Sequence, residues 1–323
     1  MAVYTKIDNR DILSLGNHYD IDKITKFEGI KKGIENTNYL LKTNKRKFIL
    51  TIFEKRVQKK DLPFFMNLME KLNENKIICP KPLKSKKGNH LCEIKKKPSC
   101  IVTFLKGTDK TNLNYKNCFD IGKNIAKFHK VTTKMKLYRQ NSMSIKKLGT
   151  LLKSIKFKSN KISSTLKPTL NACLKDIKKK WPKKLPEGII HGDLFIDNIF
   201  FNKNKFSGFI DFYFSSNDYL MYEIAICINS LCFDKRNNSF VMNNKKIKKL
   251  INGYESIRPF SKKEKDALNI LCRGAALRYL LTRIYDYFNT PKNALIQVKD
   301  PNEYLQKLII HNRLNNFTDY YKQ

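Results

Sequence analysis

The chain has 323 residues, 41% hydrophobic and 11% aromatic, enough for a sizeable core in two domains or one large one, which excludes a disordered or fibrous protein. Lys and Arg number 65 against 28 Asp and Glu, a formal charge of +37, yet 55 of the 65 are Lys spread over the whole length, so the charge reads as solvated surface. The eight cysteines form no C-x-x-C pair, no apolar run approaches a membrane span and MAVYTKIDNRD has no signal-peptide core. The expectation is therefore a cytoplasmic chain with no zinc site, disulfide frame, membrane association or specific nucleic-acid partner, its oligomeric state open.

The first hundred residues read as mixed strand and helix. Residues 24–30 and 38–43 are predicted strands joined by a polar turn, and 47–53 (KFILTIF) a third strand rich in β-branched and aromatic residues. Asp61 is expected to cap a helix to about Asn75, with Phe64, Phe65, Leu68, Met69 and Leu72 on one face. Residues 99–105 are another apolar strand, ending in the hinge candidate Thr103–Gly107, where a lobe boundary falls near residue 105. The pattern then turns mainly helical. Helices are expected over 115–132 and 165–180, short strands at 189–190, 199–201 and 206–212, and helix again from Tyr219 onward. Ser261–Glu264 form a capping box, and Asp300-Pro301-Asn302-Glu303 open the last helix in the same way, with Pro at the first helical position.

The sharpest segment is His191-Gly192-Asp193-Leu194-Phe195-Ile196-Asp197-Asn198, an H-G-D-x-x-x-x-N pattern, with Asp211 ending an apolar strand 13 residues after Asn198. Phosphoryl transfer needs this set: one carboxylate accepts the proton of the attacking hydroxyl, while an Asn and a second carboxylate hold Mg²⁺ on the nucleotide phosphates. Asp193 suits the base, Asn198 and Asp211 the metal, and the intervening hairpin is expected to return the latter two to each other. A turn Asp and a strand-end Asp would each be unremarkable alone; the joint spacing is not. Upstream, Gly29-Ile30-Lys31-Lys32-Gly33-Ile34-Glu35-Asn36-Thr37-Asn38 lies between two strands, where glycines let backbone approach phosphate closely and small polar groups can donate to it.

With these residues the chain resembles the aminoglycoside-phosphotransferase and choline-kinase group, whose loop reads H-G-D-x-x-x-x-N and whose metal Asp follows in I-D-F or I-D-W. The phrases FEGIKKGIENTNYLL (27–41), KFILTIFEKR (47–56), DLPFFMNLMEKL (61–72), HGDLFIDNIFF (191–201), GFIDFYF (208–214) and RGAALRYLLTRIYDYFNTP (273–291) are similar to the homoserine kinases of this fold, over residues 1 to about 313. The resemblance implies an α+β, bilobal protein-kinase-like fold, with a small β-rich nucleotide-binding lobe at 1–105 and a larger helical catalytic and acceptor-binding lobe at 106–323. It implies ATP and Mg²⁺, an amino-acid acceptor and phosphorylation of the L-homoserine side-chain hydroxyl, with choline or another amino alcohol as the alternative acceptor. It also implies that His191 braces the catalytic loop, and that the phosphates lie under the hairpin of Gly29, Gly33, Asn36, Thr37 and Asn38.

The sequence departs from the group at one point. Kinases of this fold place a Lys on the third strand and a Glu on the next helix, whereas Thr51 and Phe64-Phe65 stand near those positions. Both partners are absent together, so no lone buried Glu results. Lys55, two pleats on and facing the same side as Thr51, is one source of the missing charge; Lys31 and Lys32 are others. An acceptor carboxylate calls for Arg. Arg273, Arg278 and Arg283 fall in one predicted helix, and five-residue steps keep them off a common face. Arg278 and Arg283 are the substrate candidates, with Tyr213 beside them; Asp218 and Glu223 either line the pocket or brace the loop.

Overall fold

The computed structural model describes residues 3–31, 36–54, 57–157, 161–290 and 298–321. The chain divides into two compact units. One is Met1–Thr108 with Phe200–Lys203 and Ser207–Tyr213; the other is Asp109–Ile199 with Asn204–Phe206 and Phe214–Gln323. The first unit thus runs three residues past the expected boundary and takes in parts of a later hairpin.

The first unit begins with helix α1 (Asn9–His18), capped reciprocally by Asp8 and Asp11. It continues with β1 (Ile24–Gly29), β2 (Thr37–Thr43), β3 (Lys47–Ile52), α2 (Leu62–Glu74), β4 (Leu91–Ile94) and β5 (Lys97–Thr103). The five strands form one antiparallel sheet in the order β1-β2-β3-β5-β4. Alternation sorts them onto two faces. Tyr39, Leu41, Phe48, Leu50, Ile52 and Ile101 pack with Ile12 and Leu15 of α1. The opposite face carries the cross-strand row Asn38, Thr51 and Cys100. Asp61 does not cap α2: a 3₁₀ turn over Lys59–Asp61 runs straight into the helix, so Asp61 is itself helical and makes no side-chain capping hydrogen bond.

The second unit contains α3 (Tyr115–Thr132), α4 (Leu148–Ser154), α5 (Lys161–Lys180), β6 (Glu187–Ile190), then β7 (Ile199–Asn202) and β8 (Lys205–Phe209), which form a two-stranded sheet with residues in both units. β9 (Ser216–Tyr219) pairs antiparallel with β6 and leads into α6 (Leu220–Leu231). A second hairpin, β10 (Phe233–Arg236) with β11 (Ser239–Met242), interrupts the expected helical stretch before α7 (Asn244–Glu255), α8 (Lys262–Asn289) and α9 (Asn302–Asn312). α6 is apolar on nearly every side and correspondingly buried from Leu220 to Asn229. The capping box of α8 forms through Ser261 and Glu264. That of α9 does not: Pro301 sits at the cap rather than the first helical position, and Glu303 turns to Arg283 and Lys307 instead.

Candidate active site

β6 delivers the chain into the His191–Asn198 loop. Gly192 has φ +78°, and an added Cβ would lie 2.9 Å from the Phe214 carbonyl oxygen, so only glycine fits the turn. The backbone N–H groups of His191 and Gly192 both donate to the Glu223 carboxylate, the latter at 3.2 Å. Glu223 lies in the first turn of α6 and is fully buried. Burial pushes its carboxyl up to about 8, against the pull of those two N–H donors and of Arg278. The Ser230 hydroxyl donates to the Leu194 carbonyl at 2.6 Å. The Asn198 amide donates to the Asp193 carbonyl at 2.8 Å and closes the loop on itself. Each turn of the motif is therefore pinned from outside or within, and Asp193 projects from a rigid segment. The Asn198 amide oxygen makes no hydrogen bond among the described residues, which leaves a hard oxygen donor of the kind Mg²⁺ takes.

Tyr279 of α8 reaches the Asp193 side chain in the second unit, and the charge of Arg278, beside it on α8, acts on Asp193. The Tyr279 hydroxyl lies 3.3 Å from Asp193 Oδ1. Arg278, 3% exposed, has its guanidinium 4.8 Å from the Tyr279 ring centroid and 5.9 Å from that of Phe214. Its Nε is buried without a hydrogen-bond partner, and it forms no ion pair with a carboxylate among the described residues. The other two arginines are committed: Arg273 pairs with Asp176 at 2.7 Å, and Arg283 pairs with Glu303 at 2.6 Å while donating to the Asp300 carbonyl. Of the three, Arg278 is the one with no direct ion pair among the described residues, although its charge acts on Asp193, Asp218 and Glu223 nearby.

The first unit holds the remaining candidates. Asp211 follows β8, is exposed, and takes φ +63°, a left-handed conformation that non-glycine residues adopt under constraint, often at functional sites. Tyr213 packs edge-on against Phe53 and Phe65, at 5.0 and 5.6 Å, and its hydroxyl engages Thr51 and Cys100. It packs on the sheet face of Thr51. Thr51 does occupy β3 and donates to Asn38 Oδ1 at 2.8 Å.

The side chains of Asn36, Thr37 and Asn38 serve the sheet. Thr37 accepts from the N–H groups of Tyr4 and Thr5, at 2.9 and 3.1 Å, and donates to Glu54 at 2.7 Å. Asn36 accepts from the Glu54 N–H. Burial pushes the Glu54 carboxyl up, but Lys97, Thr37 and Thr5 outweigh it and hold the group below the usual range. Gly29 ends β1 beside Tyr39, its Cα facing Val3. Gly33 and Lys55 lie outside the described residues, as does Lys32; Lys31 is described and exposed.

Sequence reasoning passed over Tyr279. The available signal was a Tyr inside an otherwise apolar helical stretch, because a buried phenol needs a partner for its hydroxyl.

The model of the phosphotransferase enzyme family matches residues 26–260. A homoserine kinase of Agrobacterium fabrum is 40% identical over 320 residues, covering 99% of this chain and 98% of its own. One of Rhodopseudomonas palustris is 42% identical over 320 residues, covering 99% and 97%. Among solved structures, an amicoumacin kinase in complex with AMP-PNP and Ca²⁺ superposes with a TM-score of 0.72 at 14% identity, covering 95% of this chain and 92% of that one, which places the fold among protein-kinase-like phosphotransferases. The chain belongs to the phosphotransferase enzyme family and, within it, to the homoserine kinases.

Proposed function

We propose that the chain is an ATP-dependent kinase that transfers the γ-phosphoryl group to the side-chain hydroxyl of L-homoserine, giving O-phospho-L-homoserine and ADP. The observation that carries this reading is the identity of 40% to a homoserine kinase over 99% of the chain. The braced H-G-D-x-x-x-x-N loop supplies the chemistry such a reaction needs.

Asp193 accepts the proton of the acceptor hydroxyl as that oxygen attacks the γ-phosphorus. The fixed loop holds the carboxylate in place before the acceptor arrives, which reduces the reorganisation needed at the reacting centre. His191 contributes through its backbone, as part of the segment strapped to Glu223. Asn198 and Asp211 are the oxygen donors that would hold Mg²⁺, which when bound neutralises charge on the transferring phosphates. The first unit is assigned to the nucleotide. Because Asn36, Thr37 and Asn38 use their side chains within the sheet, the β1–β2 connection is assigned to the phosphates without them, with Lys55, Lys31 or Lys32 supplying charge.

Arg278 is assigned to the acceptor carboxylate. A buried guanidinium set over aromatic rings, with no carboxylate in direct contact among the described residues, is suited to a ligand that brings one. The second unit therefore carries both the base and the acceptor recognition.

ADP release measured over L-homoserine, L-serine, L-threonine, choline and an aminoglycoside tests the reading. The highest kcat/KM is expected for L-homoserine. A higher value for choline would move the chain to the amino-alcohol kinases, and a higher value for the aminoglycoside would move it to the antibiotic kinases.

A further inference from the structure

The segment before α1 touches both ends of the β1–β2 connection. Val3 packs on Gly29, where β1 ends: an added Cβ there would lie 2.8 Å from Val3 Cγ2. The N–H groups of Tyr4 and Thr5 donate to Thr37 Oγ1, where β2 begins, at 2.9 and 3.1 Å. The Tyr39 hydroxyl then donates to the Thr5 carbonyl at 3.0 Å and accepts from the Ile7 N–H at 3.3 Å. Val3 and Ile7 also pack against the core shared by the sheet and α1. The Thr5 side chain adds a second layer. Its hydroxyl is buried and donates to Glu54 Oε1 at 2.7 Å, the same oxygen that takes the Thr37 hydroxyl at 2.7 Å. Lys97 donates to Thr5 Oγ1 at 2.7 Å and pairs with Glu54 Oε2, while the Glu54 N–H reaches Asn36 Oδ1 at 3.4 Å. Groups next to β2, β3 and β5 therefore converge on one side chain of this segment. β1 is an edge strand, paired only with β2. The segment thus backs the strand end of the connection that has a neighbouring strand on a single side.

We propose that Val3–Ile7 is a strap that presets the β1–β2 connection for the nucleotide phosphates, with Thr5 the positioning residue whose hydroxyl locks it. This rests on the reading of that connection as the phosphate site. Fixing both ends of a connection reduces the conformational freedom it gives up when a ligand arrives, so affinity is gained by preorganisation. A strap that opens part of the time lowers the apparent affinity by the fraction of molecules in which it is open. The role needs no contact between Thr5 and the nucleotide.

Thr5→Val removes the hydroxyl but keeps the side-chain volume and the N–H donated to Thr37. The Kd for AMP-PNP should rise about 3–10-fold, part of one hydrogen bond to a charged group, while the Kd for adenosine, which carries no phosphate, stays within about twofold. The KM for L-homoserine and kcat at saturating ATP should stay close to wild type, and Thr5→Ser, which keeps the hydroxyl, should recover the AMP-PNP affinity. Val3→Ala loosens the contact on Gly29, leaves the polar network intact, and should show the same pattern at a smaller size. A merely structural segment would lower the unfolding midpoint in urea and leave the ratio of the two affinities unchanged. AMP-PNP affinity unchanged in Thr5→Val and Val3→Ala, an equal loss on adenosine, or no recovery in Thr5→Ser would overturn the strap. Gly33→Val, within the connection itself, separates the two readings and should weaken AMP-PNP at least as much as Thr5→Val. If Gly33→Val leaves AMP-PNP affinity at the wild-type value, the assignment of the connection to the phosphates falls first and this inference falls with it.

Discussion

The catalytic loop after β6 and the connection after β1 both attract attention as motifs, yet the chain treats them differently. After β6, groups from elsewhere in the second unit hold the motif. Glu223 takes the N–H groups of His191 and Gly192, Ser230 takes the Leu194 carbonyl, and Tyr279 reaches Asp193. After β1 the direction is reversed. Thr37 holds Tyr4, Thr5 and Glu54, and Asn38 receives the Thr51 hydroxyl. In the first case the loop backbone is held by groups outside it; in the second the side chains do the holding.

The largest expected effect that tests this contrast is at Asp193. Asp193→Asn preserves the loop but removes the base, and kcat should fall by roughly 10²–10⁴-fold. Steady-state rates within threefold of wild type would place the chemistry elsewhere.

Next is Arg278. Arg278→Ala loses a charged hydrogen bond to the acceptor, costing about 1.5–3 kcal/mol, or roughly 10–150-fold in kcat/KM for L-homoserine. The same variant should lose nothing further on 3-aminopropan-1-ol, which lacks the carboxylate. Equal losses on both acceptors would make Arg278 a structural residue, like Arg273 and Arg283.

Thr37 tests the other side. Thr37→Val removes the acceptor of two N–H groups, that of Thr5 buried, and the donor to Glu54, and should cost about 2 kcal/mol in urea unfolding with kcat near wild type. Full stability with a raised KM for ATP would return Thr37 to the phosphate site.

The last test concerns pH. The folded-state pKa of Glu223 is raised from 4.5 to about 8, so over that window the folded chain holds a proton the unfolded chain has lost. Stability from this group is complete below about pH 4.5 and declines as pH rises toward 8. Unfolding of wild type and Glu223→Gln at pH 5, 6.5 and 8 should show the variant gaining on wild type with each step. Parallel profiles would mean that Glu223 stays ionised throughout.

The reaction class was legible because H-G-D-x-x-x-x-N with Asp211 is a local pattern whose residue types are dictated by the chemistry. The strands β1 to β3 were legible because their apolar residues alternate. The β10–β11 hairpin was not, since FDKR and SFVM carry too little apolar alternation to stand out, and the turn between them rests on Asn237 at φ +51°. A helical wheel separated the three arginines but could not show that Glu303, 20 residues along and on another helix, would take Arg283. Asp61 satisfied the rule for a cap, but the 3₁₀ turn before it extended the helical backbone past it. The contact of Tyr279 with Asp193 depends on where α8 packs against the loop, which no spacing along the chain encodes.

The most direct test of the central claim is to identify the product. Wild-type protein with ATP, Mg²⁺ and L-homoserine should yield one O-phospho-L-homoserine for each ADP, the phosphate located on the side-chain oxygen by ³¹P NMR and mass spectrometry. ADP formed without phosphorylated homoserine, or phosphate attached at another atom, would contradict the account.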